Sequence, residues 1–430
     1  MKATIQPGPL SGEVSAIASK SDVHRLLLCA ALADEPTKII LKGTNSLSED
    51  ILATADCVKA LGSRVDYQDD CFSVTPAQKP VISPHFDCHE SGSTLRFLLP
   101  VAAAKAETSS FTGSGRLPDR PIHELVDAMK SGGVSFSSDR LPFSLTGRLQ
   151  PGTYSLPGNV SSQYITGLLF ALPLLEGDSK IVLTSELQSA SYIDITRHAQ
   201  QQFGIRSVRT DYGWYVPGHQ HYVSPGVLQA DGDWSNSSFF LAAGALSPRG
   251  VTVTSLNVDS PQGDSAILKI LTQFGAELTI TPPDADHLSN ITVRSQELKG
   301  TSIDLTDIPD SLPVLAVLAA NAAGPTVFTG GARLRLKESD RIHSVAEMIH
   351  NLGGTAEEHP DGLTVFGKDT APLTGGTINS YNDHRIVMAA AIAAASASDS
   401  TTIENCEAVR KSYPDFFTAF QHLGGKADVI

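Results

Sequence analysis

The chain has 430 residues, 41% of them hydrophobic and 18% charged, with a formal net charge of −14. That much apolar material builds a large core and excludes a disordered chain, and the acidic balance excludes a basic surface for nucleic acid or anionic membrane, so any anion site must be a local gathering of Arg and Lys. Five cysteines without a C-x-x-C pair form neither a disulfide framework nor a zinc site, no apolar run approaches the ~18 residues of a membrane span, and Met1–Pro9 has no signal pattern, so a soluble protein of the reducing cytoplasm is expected.

A strand is predicted at Ala3–Gln6. Next, Ser19-Lys20-Ser21 opens HRLLLCAALA, a segment apolar nearly all round and therefore a buried helix. DILATADCVKAL follows as an amphipathic helix, stopped by a glycine before the strand-like ALGSRVDY. This succession returns five more times. The polar clusters before the buried helices, anchored at Lys20, Gly92, Ser162, Asn236, Asp310 and Asp383, are 72, 70, 74, 74 and 73 residues apart. The glycines after the amphipathic helices are Gly62, Gly132, Gly204, Gly275, Gly353 and Gly424, at gaps of 70, 72, 71, 78 and 71. Each is expected to close its helix in the left-handed conformation.

Two independent registers at one period mean an internal repeat, six α/β units in all. They divide most simply into two domains of three, with the break near Ser224–Gly232. Gly424 lies six residues from the end, so the sixth unit lacks its final strand, and the N-terminal strand is expected to complete it. One domain is then 1–17 plus 232–430, holding both chain ends, and the other is the inserted segment 18–231.

The polar clusters have two readings. Ser, Asn and Asp before a helix cap its free N–H groups, and the same N–H groups with the helix dipole hold anions. Cations beside these starts favour anions: Lys20 and Arg25, Arg96, Arg120, Arg385, Lys411, and four in Arg333–Arg341. Arg suits bidentate grasp of carboxylate and phosphate, and Lys acts as a point charge. Asp310, Glu338 and His384 are the acid/base candidates, although Asp310 taken alone reads as a helix cap before it reads as a base. No phosphate-loop, nucleophile-elbow or metal-ligand His pattern is present.

SKSDVHRLLLCAALA (19–33), ESGSTLR (90–96), RPIHELVDA (120–128), GNVSSQY (158–164), SYIDIT (191–196), PQGD (261–264), IPDS (308–311), RLKESDR (335–341), YNDHR (381–385) and RKSYPDFF (410–417) occur in that order. With these phrases, from about Gln6 to the C-terminus, the chain resembles the EPSP synthase family (3-phosphoshikimate 1-carboxyvinyltransferases) within the enolpyruvyl transferases. The resemblance implies an α/β fold of two globular domains, each of three βαβαββ units with pseudo-threefold symmetry, an inside-out α/β barrel that closes on substrate. It also implies the reaction, a step of chorismate and aromatic amino-acid biosynthesis. The 5-hydroxyl of shikimate 3-phosphate adds to phosphoenolpyruvate, and the tetrahedral intermediate then loses phosphate, with no metal or organic cofactor. A monomer with these two small-molecule partners is expected.

Matched motif by motif, the resemblance assigns Lys20, Ser21, Arg25, Ser161, Ser162, Gln163, Ser189, Tyr192, Asp310 and Lys337 to shikimate 3-phosphate. Lys20, Gly92, Arg120, Gln163, Arg341, Arg385 and Lys411 fall to phosphoenolpyruvate. Asp310 becomes the base toward the 5-hydroxyl and Glu338 the proton donor to the methylene carbon, and Lys20 and His384 assist proton transfer and phosphate departure. The chain departs from the common family pattern at Ile17-Ala18, at Glu90–Ser93, at Phe97 and at Arg333. Substitutions beside Gly92 bear on sensitivity to glyphosate, which competes with phosphoenolpyruvate. The rival acceptor, UDP-N-acetylglucosamine, goes with Lys-Asn near the start and a Cys before Arg-Pro. Here those places hold Lys20-Ser21 and GSGRLPD. A non-catalytic binding protein on the same fold would lack one of the cations or Asp310 or Glu338, and all are present.

Overall fold

A computed structural model describes residues 1–430. In chain order its α-helices are α1 (Lys20–Leu32), α2 (Glu49–Ala60), α3 (Gly92–Lys105), α4 (His123–Ser131), α5 (Ser162–Ala171), α6 (Ala190–Gln202), α7 (Trp234–Ala245), α8 (Ile267–Phe274), α9 (Leu312–Asn321), α10 (Arg341–Asn351), α11 (His384–Ser396) and α12 (Phe416–His422). Odd and even helices differ as their sequences require. Every residue of α9 from Leu312 to Ala320 is buried, whereas α8 buries Ile267, Ile270, Leu271 and Phe274, one stripe at helical spacing. None is long and apolar enough to cross a membrane.

The strands form six four-stranded sheets of one pattern, a parallel pair extended by an antiparallel hairpin. In the second, His85–Asp87 runs parallel to Thr108–Thr112, which pairs antiparallel with Phe143–Thr146, and that with Ser135–Phe136. Buried helices pack against the sheets, α7 on Val251–Leu256 and Ser289–Arg294 and α11 on Lys2–Gln6 and Thr401–Glu404.

Four repeats keep both parallel strands locally, on either side of their buried helix. The other two exchange them. Gly12–Ser15, before α1, pairs with Val251–Leu256, after α7. Val227–Gln229, before α7, pairs with Thr37–Ile40, after α1. The two compact units are therefore discontinuous in sequence: Met1–Ile17, Asn45–Ser48 and Asp231–Ile430 form one, and Ala18–Thr44 with Glu49–Ala230 form the other. Asn45–Ser48 and Asp231, placed by sequence within 18–231, pack with the first unit; Ser46 Oγ donates to Asp415 there. The sixth sheet is completed by Lys2–Gln6, between Thr401–Glu404 and Lys426–Val429. Lys426–Val429 holds the edge position taken in the other repeats by the strand after the amphipathic helix, so Lys2–Gln6 supplies the final strand that the sixth repeat lacks, as expected.

Five of the six repeat glycines have positive φ, between 77° and 97°. The exception is Gly132, at φ −87°, where the left-handed residue is Gly133 at 94°. The Tyr154 hydroxyl stands 2.6 Å from where a Gly132 Cβ would be, so the ring needs the first glycine and the turn needs the second. Another glycine serves packing. Pro100 inside α3 has no N–H for the Arg96 carbonyl. Gly167 of α5 meets that same carbonyl, at a place where a Cβ would be 2.2 Å from its oxygen. This close approach of α5 to α3 sets the base of the Arg96 side chain.

Candidate active site

In the unit built from Ala18–Thr44 and Glu49–Ala230, the starts of α1, α3 and α5 carry the predicted residues. The bland reading of the polar clusters holds here: Ser19, Ser91 and Ser161 each accept a hydrogen bond from a first-turn N–H of the helix that follows. The cations are then held in place largely by neutral acceptors. Arg25 is 2% exposed; its Nε donates to Thr196 at 2.8 Å, its Nη atoms to the carbonyls of Ser21 and Tyr192, and it lies 5.0 Å from the Phe97 ring centroid. Burial lowers its pKa to about 10, against the opposing pull of Asp22 and Tyr192.

Arg96 donates to Gln163 Oε1 at 2.8 Å and to the Pro121 carbonyl at 3.0 Å, and Gln163 Nε2 donates to Ser93 at 2.9 Å. Gly92 faces two guanidinium groups: a Cβ there would be 2.6 Å from Arg96 Nη1 and 2.8 Å from Arg120 Nη1. Gly92, Arg120 and Gln163 are thus gathered at the start of α3. Arg96, a cation that the motif assignment passed over, joins them. Lys20 has an acidic partner, Asp50, at 2.7 Å. Ser162 opens α5, and Ser189, in the left-handed conformation at φ 55°, opens α6 with Tyr192 one turn on.

In the unit holding both chain ends, the centre is Arg341, 1% exposed. Its Nη1 meets Asp310 at 2.5 Å, its Nη2 meets Glu338 at 2.6 Å, and its Nε meets Asp383 at 2.8 Å. Burial alone would lower the Arg341 pKa; Asp383, Glu338 and Asp310 overcome that and raise it well above the ordinary arginine value. Lys337 reaches Asp310 at 3.1 Å, and Arg385 approaches it at 3.7 Å while donating to its backbone carbonyl at 3.1 Å. Burial pushes the Asp310 carboxyl up, but Lys337, Arg385 and Arg341 together hold it well below the usual range, so it is ionised. Burial also lowers the Lys337 pKa, partly offset by Asp310.

The N-cap residues of the turn and of α9, Ile308 and Ser311, make no side-chain capping bond. The Asp310 carboxylate is turned to the cations Lys337, Arg341 and Arg385. Caps at the other two buried helices of this unit come from Asp233 and Asp383. At α7 the cap lies just ahead of the serine-rich cluster the repeat pointed to. Asp383 serves twice, capping α11 and binding Arg341, a second role its motif position did not announce. His384 is buried at the start of α11, 3.9 Å from Asp383, and Lys411 Nζ donates to the Asn382 carbonyl at 2.9 Å. Not every cation of the basic segment turns inward. Arg335 binds Asp340 at 2.9 Å and the His359 carbonyl at 2.8 Å, whereas Arg333 donates to the Thr306 carbonyl.

The chain therefore carries, in each unit, buried cations at helix starts. One unit adds an ionised carboxylate, Asp310, and a second carboxylate, Glu338, on the same arginine. Known proteins match this chain over its whole length. A family model described as EPSP synthase (3-phosphoshikimate 1-carboxyvinyltransferase) covers residues 5–420. A 3-phosphoshikimate 1-carboxyvinyltransferase of Clostridium kluyveri is 39% identical, covering 99% of this chain and 98% of that protein. Among solved structures, an EPSP synthase of Acinetobacter baumannii superposes with a TM-score of 0.83 at 26% identity, covering all of both chains. The enolpyruvyl transferase NikO of Streptomyces tendae, at 18% identity and a TM-score of 0.77 over 99% of this chain and 98% of its own, shares the fold. By its motifs, its architecture and the full-length match, the chain belongs to the EPSP synthase (3-phosphoshikimate 1-carboxyvinyltransferase) family.

Proposed function

We infer that this chain transfers the enolpyruvyl group of phosphoenolpyruvate to the 5-hydroxyl of shikimate 3-phosphate and releases phosphate. Asp310 takes the hydroxyl proton as the oxygen bonds to C2 of phosphoenolpyruvate, and Glu338 delivers a proton to the methylene carbon. The tetrahedral intermediate then returns a proton from that methyl group and expels phosphate, assisted by Lys20 and His384. Ser21, Arg25, Ser161, Ser162, Gln163, Ser189, Tyr192 and Lys337 bind shikimate 3-phosphate. Gly92, Arg120, Arg341, Arg385 and Lys411 bind phosphoenolpyruvate, with Gln163 and Lys20 serving both.

The observation that carries this reading is the setting of Asp310 among Lys337, Arg341 and Arg385. With three cations on it, the carboxylate is ionised but a weak base. Each anionic substrate group that takes over one of those cations raises the Asp310 pKa toward a value useful for proton abstraction. The base is thereby strengthened only when substrate is bound. We take the working form to be a monomer of the cytoplasm, which a light-scattering mass equal to one chain would support.

The test is phosphate release by purified protein with phosphoenolpyruvate plus shikimate 3-phosphate, run in parallel with UDP-N-acetylglucosamine. Release with the first acceptor only is expected. Release with the second alone, or with neither from folded protein, overturns the reading.

A further inference from the structure

Beneath the starts of α1, α2 and α3 runs a buried chain of hydrogen bonds that no step above uses. His24 Nδ1 lies 2.6 Å from Thr54 Oγ1, Thr54 Oγ1 lies 2.6 Å from Thr94 Oγ1, and Thr94 Oγ1 lies 2.7 Å from Ser91 Oγ. The four side chains are at most 1% exposed. One turn above, Lys20 and Asp50 make a second rung between the same two helices, α1 and α2. The far end of the chain is Ser91, the residue that caps α3 and precedes Gly92.

Proton bookkeeping gives the chain a direction. Ser91 Oγ already accepts from the Thr94 N–H at 3.3 Å and from the Thr94 hydroxyl. Thr94 has then spent its one proton, so it accepts from Thr54. Thr54 has likewise spent its own, so it accepts from His24 Nδ1–H. His24 is therefore the neutral tautomer with its proton on Nδ1. This agrees with burial, then Lys20 and Arg25, lowering its pKa well below the ordinary histidine value. Its Nε2 is buried and has no hydrogen-bond partner, as expected of the bare nitrogen.

The repeat shows that this is a built contact. Thr166 and Thr196, on α5 and α6, lie 142 positions after His24 and Thr54 respectively, two repeats on, and bond at 2.9 Å. There Thr196 receives Arg25 Nε and ties α1 to α6. In the first repeat the same position instead carries a ring donor whose chain ends at α3.

Building on the phosphoenolpyruvate reading of Gly92 and Arg120, we propose that His24 is a positioning residue for phosphoenolpyruvate. As the head donor of the chain His24→Thr54→Thr94→Ser91, it fixes the rotamer of the α3 cap, and with it the free N–H groups and the two guanidinium groups packed around Gly92. Its effect is confined to the binding of this one substrate.

The test is steady-state kinetics with each substrate varied. His24→Leu fills the space without a donor and is expected to raise KM for phosphoenolpyruvate about fivefold to tenfold, the effect of leaving buried hydroxyls unpaired. KM for shikimate 3-phosphate and kcat should stay within about twofold, a margin worth only a few tenths of a kcal/mol. His24→Asn places an N–H where Nδ1 stood and should restore the phosphoenolpyruvate KM. Thr54→Val cuts the chain at its second link and should copy His24→Leu, so the proposal stays testable should one variant fold poorly. Equal rises in both KM values, a loss of kcat alone, no change, or failure of His24→Asn to rescue would each overturn the proposal. Arg120→Ala separates the two readings. If it leaves the phosphoenolpyruvate KM unchanged, the assignment of that substrate is wrong. If it raises that KM while Thr54→Val does not, only the role of His24 falls.

Discussion

Arg25 in one unit and Arg341 in the other are buried arginines held by different means. In the unit of α1 to α6, Arg25 and Arg96 donate to hydroxyl, amide and carbonyl oxygens, which orient their charge. In the unit of α7 to α12, Arg341 is surrounded by Asp310, Glu338 and Asp383. A cation on neutral acceptors keeps its full field for an incoming anion. A cation among carboxylates is locked in place, and an anion can win it only by displacing one of them. The first arrangement suits strong binding of a phosphate. The second suits acid–base groups whose strength changes when substrate arrives.

The largest effect that would test this contrast comes from removing the locked cation. Arg341→Ala leaves Asp310, Glu338 and Asp383 without their shared partner, and a broken buried pair costs about 3–5 kcal/mol. A large fall in melting temperature together with loss of turnover is expected. Asp310→Asn comes next: kcat should fall about 10²- to 10⁴-fold as the base is lost, with the melting temperature changed far less. Turnover near normal in Asp310→Asn would remove it from the chemistry. Arg25→Ala, in the unit with neutral support, should cost ~1–3 kcal/mol as Thr196 and a buried carbonyl lose their donor, and should raise KM for shikimate 3-phosphate. If it destabilises as much as Arg341→Ala, the contrast between the units is wrong.

Two smaller effects sharpen it. Lys20 and Asp50 are both partly exposed, so Lys20→Ala should alter stability by less than about 1 kcal/mol. By calorimetric titration it should weaken phosphoenolpyruvate binding more than shikimate 3-phosphate binding, and the reverse order would overturn that assignment. The smallest effect is on acid stability. The Asp310 pKa is lower folded than unfolded, so the stability it adds is complete above its unfolded value of about 3.9 and is lost as pH falls toward its folded value. Asp310→Asn should therefore unfold with a shallower dependence on pH below about 4, which denaturant midpoints across an acid series would measure.

Much of the molecule was legible in one dimension. The repeat interval, the difference between buried and amphipathic helices, the borrowed N-terminal strand and the charged phrase that holds Lys337, Glu338 and Arg341 were all readable as patterns. They depend on local spacing and on residue type: an Ala/Leu helix has no face to expose, and RLKESDR announces its charges. Other features depended on which neighbour arrived. Asp310 taken alone looked more like a cap than a base, and Lys337, Arg341 and Arg385 stand around it only in the fold. Asp383 gave no sign that it would bind an arginine 42 positions away. Asp50 is 30 residues from the lysine it pairs with. Arg335 lies in the same basic phrase as Arg341 yet turns to Asp340.

Sequence by itself determined six α/β repeats, their helix types and the chemistry-bearing phrases, because each follows from periodicity and composition within about seventy residues. Tertiary structure alone decided that Gly133, not Gly132, takes the left-handed turn, because the Tyr154 ring fills the space beside Gly132. It also decided that two repeats exchange their first strands, because the chain passes from one unit to the other there and each strand pairs in the unit it is left in. Finally, it decided which cations are paired with acids and which with neutral oxygens, because that turns on contacts between segments far apart in the chain.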